Sequence, residues 1–322
     1  KITMVDKYNK KIASMPDGFT SGELEILRGD LANVLYEASR ETTEYIFDDS
    51  IMGIKEEDNG VVVSFNRSTP RHFDLVVGAD GLHSNVRSLT FGEESKFTHH
   101  LGIYFAIFSI PNFMDLKEMS ALFYGTLGKR VGVFSARQDT EARVGFYFAS
   151  PEFQYERRDI GQQKQLIRQQ FSHHEWQVPK LLELMDKAPD FYFDAACQIR
   201  MQQWSKGRVT LLGDAASCPS PMSGMGTSMA IVGAYILASE LKEADGDHTI
   251  AFKNYEEQMR DFAAACQKLG EGADWFVPST RFKLWMSTQI WKILPYTPWK
   301  NMMIEMPLKA ANSITLKNYE QA

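Results

Sequence analysis

The segment Gly207-Arg-Val-Thr-Leu-Leu-Gly213-Asp214-Ala-Ala-Ser-Cys-Pro-Ser-Pro221-Met-Ser-Gly224-Met225-Gly226 carries the residue types best suited to hold a ligand. Arg208 to Leu212 reads as a buried strand that runs into an acidic residue at its carboxyl end. A turn rich in Pro and Gly follows, and then an apolar helix expected over Thr227 to Leu241. Open α/β sheets bind ligands at the carboxyl ends of their strands, so Asp214 is placed to accept hydrogen bonds from a ligand hydroxyl. Gly224 and Gly226 remove side chains where the helix begins. Backbone N–H groups and the positive end of the helix dipole then face an electron-rich group.

A second run, Phe73-Asp-Leu-Val-Val-Gly78-Ala-Asp80-Gly81-Leu-His-Ser84-Asn-Val-Arg87, opens as a continuous apolar strand. Such a run is the pattern of a strand covered on both faces. It ends in Gly-Ala-Asp-Gly and enters a helix-like segment for which Ser84 is the expected N-cap. A third element spans Glu23 to Leu35, where Leu27, Leu31, Val34 and Leu35 recur at helical spacing and predict one apolar stripe. Arg28 stands at the start of that helix, beside Asp30.

Together these segments resemble the FAD-dependent aromatic hydroxylases, the family of para-hydroxybenzoate hydroxylase. The Gly-Asp-Ala-Ala run with its proline linker and Gly-x-Gly is similar to that family's second flavin fingerprint. The resemblance implies that Asp214 holds a ribityl hydroxyl of FAD, that Gly213 beside it is a cofactor-binding residue, and that Pro221 lines the flavin face where oxygen reacts. It places the backbone of Met225, Gly226 and Thr227 against the flavin pyrimidine and makes Gly224 a further cofactor-binding residue. Asp80, Gly81 and Arg87 match the family's D-G fingerprint, which touches FAD and the nicotinamide cofactor, and Arg28 matches an R-x-x-L arginine that reaches FAD. The activity implied is a monooxygenase that uses NADPH or NADH and O2, through a flavin C4a-hydroperoxide, on an aromatic or polyketide-like small molecule. The fold implied is α/β, a Rossmann-like FAD-binding domain interleaved with a mainly antiparallel β-sheet substrate domain and followed by a C-terminal helical segment.

Glu25-Ile-Leu-Arg-Gly-Asp-Leu, Cys218-Pro-Ser-Pro and Val232-Gly-Ala-Tyr-Ile-Leu-Ala look closest to the tetracycline-inactivating branch. Ser217 and Ser228 depart from the His and Asn that many members carry. The chain also shows no G-x-G-x-x-G turn, and Lys1-Ile-Thr-Met-Val-Asp already reads as a strand. By resemblance, about eighty N-terminal residues of the mononucleotide-binding unit are expected to be missing. Two other readings stay open: an FAD-dependent reductase on the same scaffold, and a flavin-free remnant.

The elements that must position these residues fit an α/β enzyme. A chain of 322 residues with 44% hydrophobic and 24% charged residues has the balance of a globular protein. A net charge of −6 without a basic stripe argues against nucleic acid as partner. Cys197, Cys218 and Cys266 are odd in number and widely spaced, which fits neither a disulfide framework nor a metal site and points to the cytoplasm. A monomer or homodimer is expected.

The expected division is a β-hairpin piece over 1–20 ending in the turn Met15-Pro-Asp-Gly18, FAD-binding parts over 21–95 and 204–265, a substrate sheet over 96–203 and helices over 266–322. Tyr104 to Ile110, Ser120 to Tyr124, Arg130 to Ser135 and Ala142 to Phe148 alternate and are aromatic, predicting a meander with one face open to a pocket. Helices are expected over Gln162 to Phe171, Trp176 to Lys187 and from Ile250 on. Phe282 to Leu294 reads as an amphipathic helix that docks on the protein rather than on a membrane surface.

Overall fold

The computed structural model describes residues 2–14, 26–117, 120–297 and 299–319. It opens with β1 (Ile2–Val5) and β2 (Lys11–Ser14), an antiparallel hairpin. Its turn is Asp6 to Lys10, and the expected turn Met15 to Gly18 lies outside the described residues. The Asp6 carboxylate accepts from the N–H groups of Tyr8 and Lys10, and Asn9 takes φ 62°. An Asp that caps its own turn and an Asn in the left-handed region are the chemistry of a short reversal.

Helix α1 (Arg28–Ser39) begins at Arg28, as expected, and Glu23 to Glu25 lie outside the described residues. Its apolar stripe is not buried: Val34 is 57% and Leu35 54% exposed. No described element packs over it, so spacing set the helix but not its burial. Strands β3 (Ile51–Glu57), β4 (Gly60–Phe65) and β5 (Arg71–Phe73) form a three-stranded antiparallel sheet. The chain then leaves that sheet, and β6 (Val76–Gly78) belongs to another. The expectation of one continuous strand covered on both faces is therefore corrected. The sheet switch at Asp74 shortens it, and Val77 is 41% exposed while Val76 is buried.

After α2 (Asn85–Phe91) come the four expected strands: β7 (Thr98–Pro111), β8 (Ala121–Thr126), β9 (Lys129–Ala136) and β10 (Glu141–Ala149). Helices α3 (Ile160–Phe171) and α4 (Val178–Lys187) lead to β11 (Tyr192–Ile199). The large sheet is ordered β11-β7-β10-β9-β8-β1-β2, antiparallel except where β1 runs parallel to β8. Both of its faces carry a core, and the second leaves Tyr192, at the β11 end, 47% exposed. Tyr104, Phe108, Phe146 and Phe148 meet Ile167, Phe171 and Leu181 on one side. Phe105, Phe123 and Tyr147 meet Ala273, Val277, Phe276 and Trp291 on the other.

Two short strands, β12 (Ser205–Lys206) and β13 (Val209–Leu211), complete the sheet β12-β13-β6, in which β13 runs parallel to β6. Then follow α5 (Asp214–Ser217), α6 (Gly226–Glu243), α7 (His248–Gly270), α8 (Ala273–Phe276), α9 (Arg281–Ile293) and α10 (Trp299–Ala311). Met229, Ile236, Tyr255 and Phe262 of α6 and α7 pack with Val209, Leu211 and Trp204 in a second core. Helix α9 docks through Leu284, Ser287 and Trp291, while Phe282 and Trp285 face outward.

Candidate functional site

The fully buried β13 ends beside β6, so two strand ends deliver the Gly213-Asp214 and Gly78-Ala79-Asp80-Gly81 segments to the same edge. A Cβ on Gly78 would stand 2.7 Å from both Leu211 Cδ2 and Val86 Cγ1, so only glycine allows this approach of β6, β13 and α2. Beyond Asp214 a single turn of helix and a 3-10 turn over Pro221 to Ser223 bring the chain to Gly224, in the left-handed region at φ 65°. Helix α6 then starts on Met225 with no side-chain cap. The N–H groups of Gly226, Thr227 and Ser228 have no acceptor among the described residues. Unsatisfied donors at a helix start are a site for an electron-rich group.

The Asp214 carboxyl lies beside this helix start, 3.8 Å from where a Cβ on Gly226 would be. Burial pushes its pKa up, opposed by a side-chain bond with Cys218 and the positive charge of Arg28. Arg28 is itself exposed at the first position of α1, and its charge also bears on Tyr192. Gly81 and Gly224 face open space, with nothing within 4 Å of an added Cβ. Pro221 is exposed, whereas its neighbour Met222 packs toward the second face of the large sheet. Met225 is buried and Thr227 exposed. A half-buried carboxyl, open donors and glycines without a facing wall suit the ribityl chain and ring of a flavin.

Asp80 and Arg87 stand differently from simple cofactor contacts. Asp80 accepts from Ser84 Oγ at 2.5 Å and from the Val86 N–H at 3.1 Å, which holds the first turn of α2. Ser84 caps that helix as expected, its Oγ accepting from the Arg87 N–H. Arg87 is wholly buried and donates to the carbonyls of Ala215 at 3.0 Å and Leu82 at 2.6 Å. Its guanidinium therefore ties the two loops together from behind, and Nε is left without a partner. Of the two departures, Ser217 is buried with Oγ toward Met229 Sδ, and Ser228 is exposed at the helix start.

Sequence reasoning missed the group that bolts this edge to the large sheet. Asp194, buried on β11, accepts from His83 Nε2 at 3.0 Å, Tyr155 Oη at 2.9 Å, Tyr192 Oη at 2.7 Å and the Ala195 N–H at 2.8 Å. His83 Nδ1 lies 3.0 Å from Glu94, which also receives Arg157. Burial opposes the charge on His83, but Asp194 and Glu94 outweigh it and raise its pKa to about 9. Burial likewise pushes Asp194 up, yet His83 and the two tyrosines hold it below its usual range. The available signal was a lone Asp in the apolar run Phe191 to Cys197, since a buried charge needs partners.

Other features lie elsewhere. A cavity of about 460 Å³ between β12 and α7, lined by Gln203, Lys206, Lys253 and Glu257, meets the motifs only at Gly207 and touches neither Asp80 nor Asp214. The three cysteines are free and buried, and burial raises Cys197 to about 12 and Cys266 to about 11. Among the described residues no cluster of His, Cys, Asp or Glu could hold a metal ion, and no helix is long and apolar enough to cross a membrane.

Comparison with known proteins agrees with this geometry. The family described as FAD binding domain matches residues 26–268. Protein Rv1260 of Mycobacterium tuberculosis is 45% identical over 258 residues, covering 80% of this chain and 69% of that protein. A flavin-dependent monooxygenase of Legionella longbeachae is 38% identical over 300 residues, covering 93% of this chain and 75% of that one. The crystal structure of tetracycline destructase Tet(51) superposes with a TM-score of 0.82 at 34% identity, covering 99% of this chain and 80% of that one. With a family match that spans both strand ends, the chain belongs to the FAD-dependent aromatic hydroxylases and is an FAD-dependent monooxygenase.

Proposed function

We propose that this protein uses NADPH or NADH and O2 to hydroxylate an aromatic or polyketide-like small molecule, a tetracycline-like compound among the candidates. The observation that carries this reading is the uncapped start of α6, with open N–H groups at Gly226 and Thr227 beside the Asp214 carboxyl. The similarity to tetracycline destructase Tet(51) supports the polyketide class. When bound, FAD supplies the redox chemistry, accepting reducing equivalents and activating oxygen, while the protein binds, orients and excludes water.

Each residue then has a role. Asp214, half-buried, accepts a ribityl hydroxyl, and Gly213 turns the chain to aim it. Gly226 and Thr227 offer backbone N–H groups that stabilise negative charge on the ring, and Met225, whose own N–H donates to Ser223 Oγ at 3.1 Å, seats the helix start beneath it. Gly224 keeps the approach free of a side chain. Pro221, exposed at the turn, walls the face toward the large sheet, where the substrate is held. Arg28 brings a positive charge near Asp214, and Asp80, Gly81 and Arg87 shape the loop that borders the cofactor. The cytoplasm, where thiols stay reduced, is the compartment that suits the three free cysteines.

The test is direct. The purified chain is mixed with FAD, freed of excess, and its visible spectrum recorded, then NADPH and NADH oxidation is followed with and without a tetracycline. Retained flavin and substrate-stimulated oxygen uptake are expected. A colourless chain overturns the cofactor reading for this polypeptide, and oxidation of NAD(P)H without oxygen uptake makes it a reductase.

A further inference from the structure

Arg130 on β9 is 5% exposed, yet no hydrogen bond or ion pair joins its guanidinium to any described residue. It lies over the rings of Phe276 and Phe123, at 4.7 and 5.8 Å from their centroids. Across the strand pair stands Gly125, whose missing Cβ leaves room for the guanidinium: an added one would lie 3.7 Å from Nε. The ionisable neighbour whose charge registers is Tyr147, whose phenol burial pushes up to about 12 and so keeps neutral. Burial lowers Arg130 itself, but only to about 10, so it stays charged at neutral pH.

A guanidinium so nearly buried, with no counter-charge among the described residues, is costly to hold. Lys and Asp escape by neutralising; arginine does not. Arg130 lines a partly open cavity of about 40 Å³ together with Phe123, Gly125, Leu284, Ser287 and Thr288. That volume suits one water-sized species and is too small for an organic acid. The hydroxyls of Ser287 and Thr288 already donate to the Leu284 carbonyl, so they bring no protons to the cavity. The donors available there are those of Arg130, in mostly apolar surroundings.

We propose that the cavity beneath α9 is a binding site for a small monovalent inorganic anion, chloride or bromide, seated on the Arg130 guanidinium. Its apolar walls and the weak hydration of the guanidinium favour weakly hydrated halides over strongly hydrated ions. Because α9 forms the roof through Leu284, Ser287 and Thr288, the anion neutralises the charge that the helix covers and fastens the helix to the sheet. This site shares no residue with the flavin motifs and does not depend on the proposed reaction.

Thermal unfolding of the purified chain at constant ionic strength tests it, comparing sodium bromide and chloride with sodium gluconate, an anion too large to enter. Halide at ten times its Kd should raise the melting temperature by roughly 3 °C over gluconate. Arg130→Met should fold, since a buried charge replaced by an apolar side chain of similar length is tolerated, and it should show no halide-specific rise. Arg130→Lys, which keeps a cation, should retain a smaller one. In crystals grown from bromide, an anomalous peak should stand within hydrogen-bond distance of Arg130. Absence of a halide response in the unmodified chain, or an equal response in Arg130→Met, overturns the proposal.

Discussion

The seven-stranded sheet and the three-stranded layer β12-β13-β6 solve opposite problems. The large sheet covers both faces with its own side chains: aromatic residues such as Tyr104, Phe146 and Phe148 on one side, Phe105, Phe123 and Tyr147 on the other. The small layer has three strands of two or three residues, and what surrounds them is kept open. Val77 is exposed, Gly81 and Gly224 face no neighbour, and α6 starts without a cap. A sheet that must remain intact spends its surface on packing, whereas an edge that must receive a cofactor leaves donors and space unfilled. The small layer therefore depends on bolts, namely Arg87 within it and His83–Asp194 between it and the large sheet.

The largest break in this contrast comes from removing the inner bolt. Arg87→Leu leaves the carbonyls of Ala215 and Leu82 buried without donors, which should cost about 3 kcal/mol. Urea unfolding measures the total, and amide exchange should show the loss in β6, β13 and α2 while β7 and β10 keep their protection. Uniform loss across both regions would mean that the two are one cooperative unit. Next in size is Asp214→Ala, which should weaken FAD binding about 10- to 100-fold by removing a charge-assisted acceptor, with little change in unfolding. Fluorescence titration reads the first and circular dichroism the second, and Asp214→Asn should recover part of the affinity.

Gly78→Ala probes the close approach that brings the two strand ends together. The new Cβ meets Leu211 and Val86, so the variant should lose about 2 kcal/mol of stability and weaken FAD binding with it. A neutral result would show that the layer yields, and the contrast with the large sheet would then be one of stiffness as well as openness.

The strand–Asp–turn–helix around Asp214 was legible in the sequence because its residues are contiguous and its glycines have few other reasons to be there. The four aromatic strands were legible from alternation alone, and the structure extends β7 at both ends without moving it. What could not be read is what joins distant segments. His83, Glu94, Tyr155, Tyr192 and Asp194 are spread over more than a hundred residues, and no spacing rule connects them. Burial was also beyond the pattern: the stripe of α1 has helical periodicity, yet Val34 and Leu35 face outward. Periodicity reports how side chains are arranged around an axis, and a second element decides whether they are covered.

The outer bolt titrates, so pH sharpens the comparison. His83 carries a pKa raised from 6.5 to about 9, so its ion pairs stabilise the fold fully below 6.5 and are lost as pH rises through about 9. Asp194 and Glu94 are held below their usual range, so their share is present above it and is lost as pH falls. Stability should therefore decline on the alkaline side between about pH 7 and 9. In His83→Gln that part of the decline should vanish, while the acid limb persists in reduced form. Amide exchange at pH 9 should show α2 and the Asp80 loop loosening before the large sheet, and a decline unchanged in His83→Gln would sink the assignment.

The smallest effect expected belongs to the exposed stripe of α1. Val34→Ser removes an apolar side chain that is already in water, so unfolding of this chain should change by no more than about 0.5 kcal/mol. The same exchange at Val144, wholly buried in the large sheet, removes packing and leaves a hydroxyl without a partner, so it should cost about 3 kcal/mol. The pair isolates the contrast at constant chemistry: one Val for Ser on each side. A large loss at Val34 would mean that something covers α1 in solution, and the openness of the cofactor edge would then stop short of that helix.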